Sequence, residues 1–213
     1  MLMNLKSAIA AVVLGAFCTA GALAQEWKDR AEYDLVVESI SKEQNPKTKL
    51  GLINQWKEKY PDTQFKTLRH NLYVTTYQAL GDGKGMKAAS EDWLKDDPEA
   101  IPPYYWLNLL TISLNDTSAP ALATGERVGK GLLSILDEAF DASKKPENIN
   151  ANDWAAQIAA MAGIANKTLG WVAMQRNQNV DAERYFLESL KHAPGDGAVS
   201  LWTGTVIAKQ KNV

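Results

Sequence analysis

Few residues in this chain could carry acid–base, nucleophilic or metal chemistry, and their spacing does not assemble them. The only histidines are His70 and His192. Neither belongs to an H-x3-H or H-E-x-x-H pattern, the spacings that put two metal-ligating side chains on one helix face, so each is read as a surface or packing residue. The acidic pairs Glu91-Asp92 and Asp96-Asp97 could hold a cation only with further oxygen ligands, and a solvated helix face accounts for them better. Gly81-Asp82-Gly83-Lys84-Gly85 has the composition of a phosphate loop. It lacks the G-x4-G-K-[ST] spacing and the preceding strand that such loops need, and reads as a turn between helices. Ser134 and Ser200 have no G-x-S-x-G frame around them, so a nucleophile elbow is excluded. The expectation is a protein with no catalytic residue, cofactor or metal. Two sequons, Asn115-Asp116-Thr117 and Asn166-Lys167-Thr168, matter only in a eukaryotic secretory pathway.

The elements that carry these residues are predicted to be helical throughout, with no convincing strand. Trp27, Ala31, Leu35, Val36, Val37 and Ile40 form an apolar stripe that Asn45-Pro46 breaks. A second helix carries Leu50, Ile53 and Trp56 and stops at Tyr60-Pro61, with Asp62 expected to cap the next one. In that third helix Phe65, Leu68, Leu72, Thr76 and Leu80 recur at threes and fours, and a short fourth helix is expected over 86–94. Pro102-Pro103 opens a helix through Ile112, Asn115 to Ser118 is a turn, and a longer helix runs from Pro120 to Phe140. After a polar loop over 144–152, three helices are expected over 154–175, 181–192 and 198–209. Nine helices joined by short turns must fold back on one another as antiparallel hairpins.

The N-terminus reads as a secretory signal peptide. Lys6 is followed by a charge-free, Ala-rich stretch to Ala24 that is too short for a membrane span, and Ala22-Leu23-Ala24 is an A-x-A cleavage site. Cleavage after Ala24 would leave residues 25–213 as one domain with no integral membrane span, periplasmic or secreted. Cys18 is the only cysteine, and export would remove it. Phe17 stands just before it where a lipoprotein signal needs a small residue, which argues against lipidation. With 23 basic and 25 acidic side chains the formal charge is -2, which excludes a strong nucleic-acid reader.

A period in the middle thirties links the helices. Trp56 to Pro61 and Trp93 to Pro98 share the pattern W-x4-P, and Leu169-Gly170 has a partial echo at Thr203-Gly204. The segment from Gly163 to Gly197 carries Leu169, Gly170, Ala182, Phe186 and Pro194 at the offsets of the tetratricopeptide repeat (TPR), with Leu190 where that family favours Leu. It departs at Asn166 and Ala173, where the family has aromatics. Residues 67–100 keep only Tyr77, Gly81-Asp82, Leu94 and Pro98 of the pattern. The chain thus resembles the tetratricopeptide repeat family. The resemblance implies an all-α, right-handed solenoid of about four stacked hairpins plus a C-terminal helix, with Gly170 and Ala182 at a close helix crossing.

It further implies where a partner would sit. Carrying the register of Gly170 and Pro194 back through Pro98 places the family's groove-facing positions on Asn71, Thr75 and Gln78, then on Tyr105, Leu109 and Ile112, then on Lys167, Trp171, Met174 and Gln175. That mixed polar and aromatic set suits an extended or helical peptide held by aromatic anchors and amide hydrogen bonds. The expected function is non-catalytic: a scaffold of the cell envelope or secreted space that binds a protein or peptide segment in a concave groove. The alternative is a small-molecule or glycan binder, with Tyr104, Tyr105, Trp106 and Trp171 as an aromatic platform.

Overall fold

The computed structural model describes residues 26–211; the expected signal peptide, its cleavage site and Cys18 lie outside the described residues. Among these, every regular element is helical and no strand occurs. No described helix is long and apolar enough to cross a membrane. The chain divides between Pro98 and Glu99 into two compact units.

In the first unit, α1 starts as Arg30–Tyr33 and runs on as a π-helical stretch, Asp34–Ile40. It is followed by α2 (Pro46–Lys59), α3 (Lys66–Leu80) and α4 (Gly83–Asp96). Local chemistry sets most of these ends. Asn45 caps α2 by accepting from the amides of Lys47 and Thr48, with Pro46 in the first turn where no N–H is needed. Gly81 ends α3 in the left-handed region at φ 67°, a conformation that glycine adopts without a Cβ clash. Asp82 then caps α4 by accepting from the Gly85 amide at 2.9 Å. The turn expected over 81–85 therefore shrinks to two residues, and α4 is longer than predicted at both ends. Asp62 does not cap α3; the Phe65 amide is met by the Thr63 hydroxyl at 3.2 Å.

Each helix of this unit packs on its neighbour in sequence. The interior is built from Val36, Ile40, Ile53, Trp56, Val74, Met86, Trp93 and Leu94. Trp56 is fully buried and donates its indole N–H to the buried Glu32 carboxylate at 2.8 Å. Burial pushes that carboxyl up, but hydrogen bonds from Thr63, the Lys28 amide and Trp56 outweigh it and hold the group below its ordinary range.

The second unit contains α5 (Ile101–Ser113), α6 (Ala119–Ala139), a 3-10 turn (Ala142–Lys144), α7 (Ala151–Gln175), α8 (Asn179–His192) and α9 (Gly197–Lys211). Ser118 and Asn150 cap α6 and α7. Asn115 and Asn177 take the left-handed conformation just after α5 and α7, as Asn does more readily than other side chains. Here α7 packs on α6, α8 and also α5. Small residues allow the close approach. A Cβ on Gly129 would lie 2.8 Å from Leu169 Cγ, one on Gly125 2.6 Å from Thr111 Cγ2, and one on Gly170 2.4 Å from Phe186 Cδ1. The close crossing expected at Gly170 is thus present, with Ala182 buried beside it in the same cluster.

Candidate functional site

The stripe expected on α3 is only partly the buried one: Thr76 is buried, but Leu68 is exposed and Phe65, Leu72 and Leu80 are half-buried. Arg69, His70, Tyr73 and Val74 are buried instead. Burying such polar side chains is tolerable only if their heads find partners, and three of them do. Arg69 donates from its two terminal nitrogens to the carbonyls of Tyr60 (2.7 Å) and Pro61 (3.1 Å), tying the α2–α3 corner. His70 Nε2 lies 2.7 Å from Asp96 Oδ2 on α4. The Tyr73 hydroxyl donates to Asn54 Oδ1 on α2 at 2.8 Å. Spacing alone leaves His70 on a surface or in packing and Asp96 on a solvated face; tertiary structure joins them.

These side chains form the floor of a cleft of about 460 Å³ between α2 and α4. Lys66, Arg69, His70, Tyr73 and Tyr77 of α3 share one helical face at spacings of three and four. Asn54, Lys57 and Pro61 form one wall. Gly85, Ala88, Ala89, Asp92, Lys95 and Asp96, again three and four apart, form the other. Tyr73 and Tyr77 lie nearly parallel, ring centroids 6.3 Å apart. A Cβ on Gly85 would stand 2.5 Å from the Tyr77 ring, so glycine lets that ring approach α4 closely. Across the mouth, Asp92 pairs with Lys95 at 2.8 Å and lies 4.0 Å from Lys57.

Burial shapes the protonation of these groups. It pulls the His70 imidazole below its ordinary 6.5 despite the opposing pull of Asp96. It pushes the Tyr73 phenol up to about 12. The His70 hydrogen bond holds the Asp96 carboxyl below its ordinary range. At neutral pH the cleft therefore presents a neutral His70 imidazole and Tyr73 phenol beside an ionised Asp96 carboxylate. No group of three metal-ligating side chains occurs among the described residues.

The residues expected to face a groove are distributed between the two units. On α3, Asn71 and Thr75 are half-buried and Gln78 exposed, and none of the three is among the cleft-lining residues. Asn71 and Gln78 each directly follow a residue that lines it, His70 and Tyr77, and Thr75 lies midway between Tyr73 and Tyr77. In the second unit Trp171 is 3% exposed and belongs to the core cluster with Leu122, Phe186 and Val199, against which Ile112 and Met174 also pack. Tyr105 is 8% exposed and meets Trp106 edge-on at 4.9 Å. Both aromatics therefore pack inside the structure and do not stand out as anchors. Leu109 is exposed, Gln175 half-buried, and Lys167 is paired with Asp196 at 2.6 Å. The Asn166 sequon is buried within α7, its amide donating to the Ala162 carbonyl.

The cleft residues escape the repeat register because that register is anchored at Pro194, where the pattern is strongest, and extends into a segment where it is weak. A usable signal exists: Arg69, His70, Tyr73 and Tyr77 recur on one face, opposite a Gly/Ala-rich face at Gly85, Ala88 and Ala89. Set against known proteins, the chain matches no protein-family model, no curated protein and no solved structure.

Proposed function

We propose that the protein is an exported, non-catalytic binding protein built from tetratricopeptide-like helical hairpins, and that it holds a polypeptide segment in the α2–α4 cleft. The observation that carries this reading is the cleft itself. It is open, it has two nearly parallel tyrosine rings on its floor, and Arg69, His70 and Tyr73 are held by partners within the same unit. A preorganised surface loses little entropy on binding, and flat aromatic faces beside hydrogen-bonding groups suit a chain that alternates peptide planes and side chains. Export rests on the Lys6, apolar core and Ala22-Leu23-Ala24 arrangement; an N-terminus at Gln25 in protein from the native host would support it, and an intact Met1 form as the main species would end it.

Binding is tested by calorimetry of the full chain against a panel of synthetic peptides and a parallel panel of soluble oligosaccharides. Saturable binding of peptides, weakened by Tyr77→Ala, is the expected result. Saturable binding of oligosaccharides alone would replace this reading with a glycan binder, for which the paired tyrosines would be the stacking platform.

A further inference from the structure

The cleft is uneven in charge and in polarity along its length. Four cations line it, Lys57, Lys66, Arg69 and Lys95, against two carboxylates, Asp92 and Asp96. Asp92 is already shared between Lys95 and Lys57. Asp96 takes the hydrogen bond of a histidine that burial keeps neutral, so that contact adds no positive charge. Arg69 is 5% exposed, and its guanidinium is fixed by two main-chain carbonyls rather than by an acid. Its charge thus stays in the floor, oriented and largely desolvated; Asp96 lies within its electrostatic reach and that of Lys66, and the four cations still exceed the two carboxylates of the lining.

The two ends of α3 differ. Lys66, Arg69 and His70 lie at its N-terminal end, beside Lys95 and Asp96 at the C-terminal end of α4. Tyr77 lies toward the other end, against Gly85 at the start of α4. Arg69 and Tyr77 are two helical turns apart, roughly 12 Å at 1.5 Å per residue. An extended peptide covers that distance in about three to four residues. The start of α4 does not offer a phosphate nest, because the Gly85 amide is already spent on Asp82.

We propose that the cleft selects an acidic peptide segment in which an Asp or Glu seated at Lys66 and Arg69 is followed or preceded, three to four positions away, by an apolar or aromatic side chain lying on Tyr77. This rests on the peptide-binding reading above and gives it a ligand chemistry.

The test is calorimetry of the full chain with three synthetic peptides: one with an acidic and an apolar residue at that spacing, one with the acid replaced by its amide, and one with the apolar residue replaced by Ala. The acidic peptide should bind most tightly and weaken as salt is raised, and amidation should cost roughly tenfold in affinity. Lys66→Gln, at an exposed position, should reduce the difference between acid and amide without moving the melting temperature. Tyr77→Ala should erase the difference between apolar and Ala. Equal, salt-insensitive binding of acid and amide would overturn this inference while leaving peptide binding intact. If none of the peptides of either panel binds, the peptide reading itself fails.

Discussion

The two units solve the same packing problem by different means. In the unit that holds α5 to α9, glycines bring backbones together, and two buried hydrogen bonds between helices run from short side chains to main-chain carbonyls, while the longer pair Arg176–Glu126 is half-buried. Thr168 donates to the Asn108 carbonyl (3.2 Å) and Ser189 to that of Gly163 (2.9 Å). In the unit that holds α1 to α4, the corresponding ties join longer side chains: Trp56 to Glu32, Tyr73 to Asn54, His70 to Asp96. Short donors can reach a neighbouring carbonyl only across a close crossing, whereas longer side chains can also span a wider gap. In the first unit the ties beneath the cleft are of the longer kind. In the second, Trp171 and Tyr105 are buried.

Substitutions can break this contrast, beginning with the largest effect. Trp56→Ala should cost about 3 to 5 kcal/mol, since it opens a cavity and also strips a donor from buried Glu32; Trp56→Phe should cost less. Urea unfolding measures both; because Phe also lacks the N–H, equal losses would mean that the hydrogen bond to Glu32, and not the cavity, carries the effect. Gly170→Leu should cost about 1 to 3 kcal/mol, because even a Cβ there collides with Phe186. An unchanged melting temperature would show that α7 and α8 do not cross closely at this point.

A pH dependence follows from His70. Its folded pKa lies below the ordinary 6.5, so below that pH the unfolded chain binds the proton more readily and stability falls as the solution is acidified. His70→Gln, which keeps an N–H donor for Asp96, should flatten the loss between pH 7 and 5.5. Parallel urea midpoints for wild type and variant at those two pH values would refute the assignment. The smallest effect has the opposite sign. Gly204 lies within α9, and a Cβ added there would meet nothing within 4 Å, so Gly204→Ala should stabilise by about 0.5 to 1 kcal/mol through helix propensity. Calorimetric melting of the Gly170 and Gly204 variants side by side separates a crowded glycine from an open one.

What could be read from the sequence was the part decided by neighbours along the chain. Pro46, Gly81 and Pro102 act on the backbone beside them, so the number of helices and most of their ends were legible. Gly170 and Ala182 were legible too, because one hairpin places both within a single short repeat. The face of α3 that lines the cleft was not. Its burial depends on the Tyr60 and Pro61 carbonyls, on Asn54 from the preceding helix and on Asp96 from the following one. An arginine and a histidine look solvent-facing until those partners are in place, and only the tertiary structure brings them there. The same holds for Trp171: its sequence position fits either an open face or a core, and the close approach at Gly170 and Gly125 buries it. Local sterics and capping act within a few residues, whereas the burial of a polar side chain is settled by where its distant partners fold.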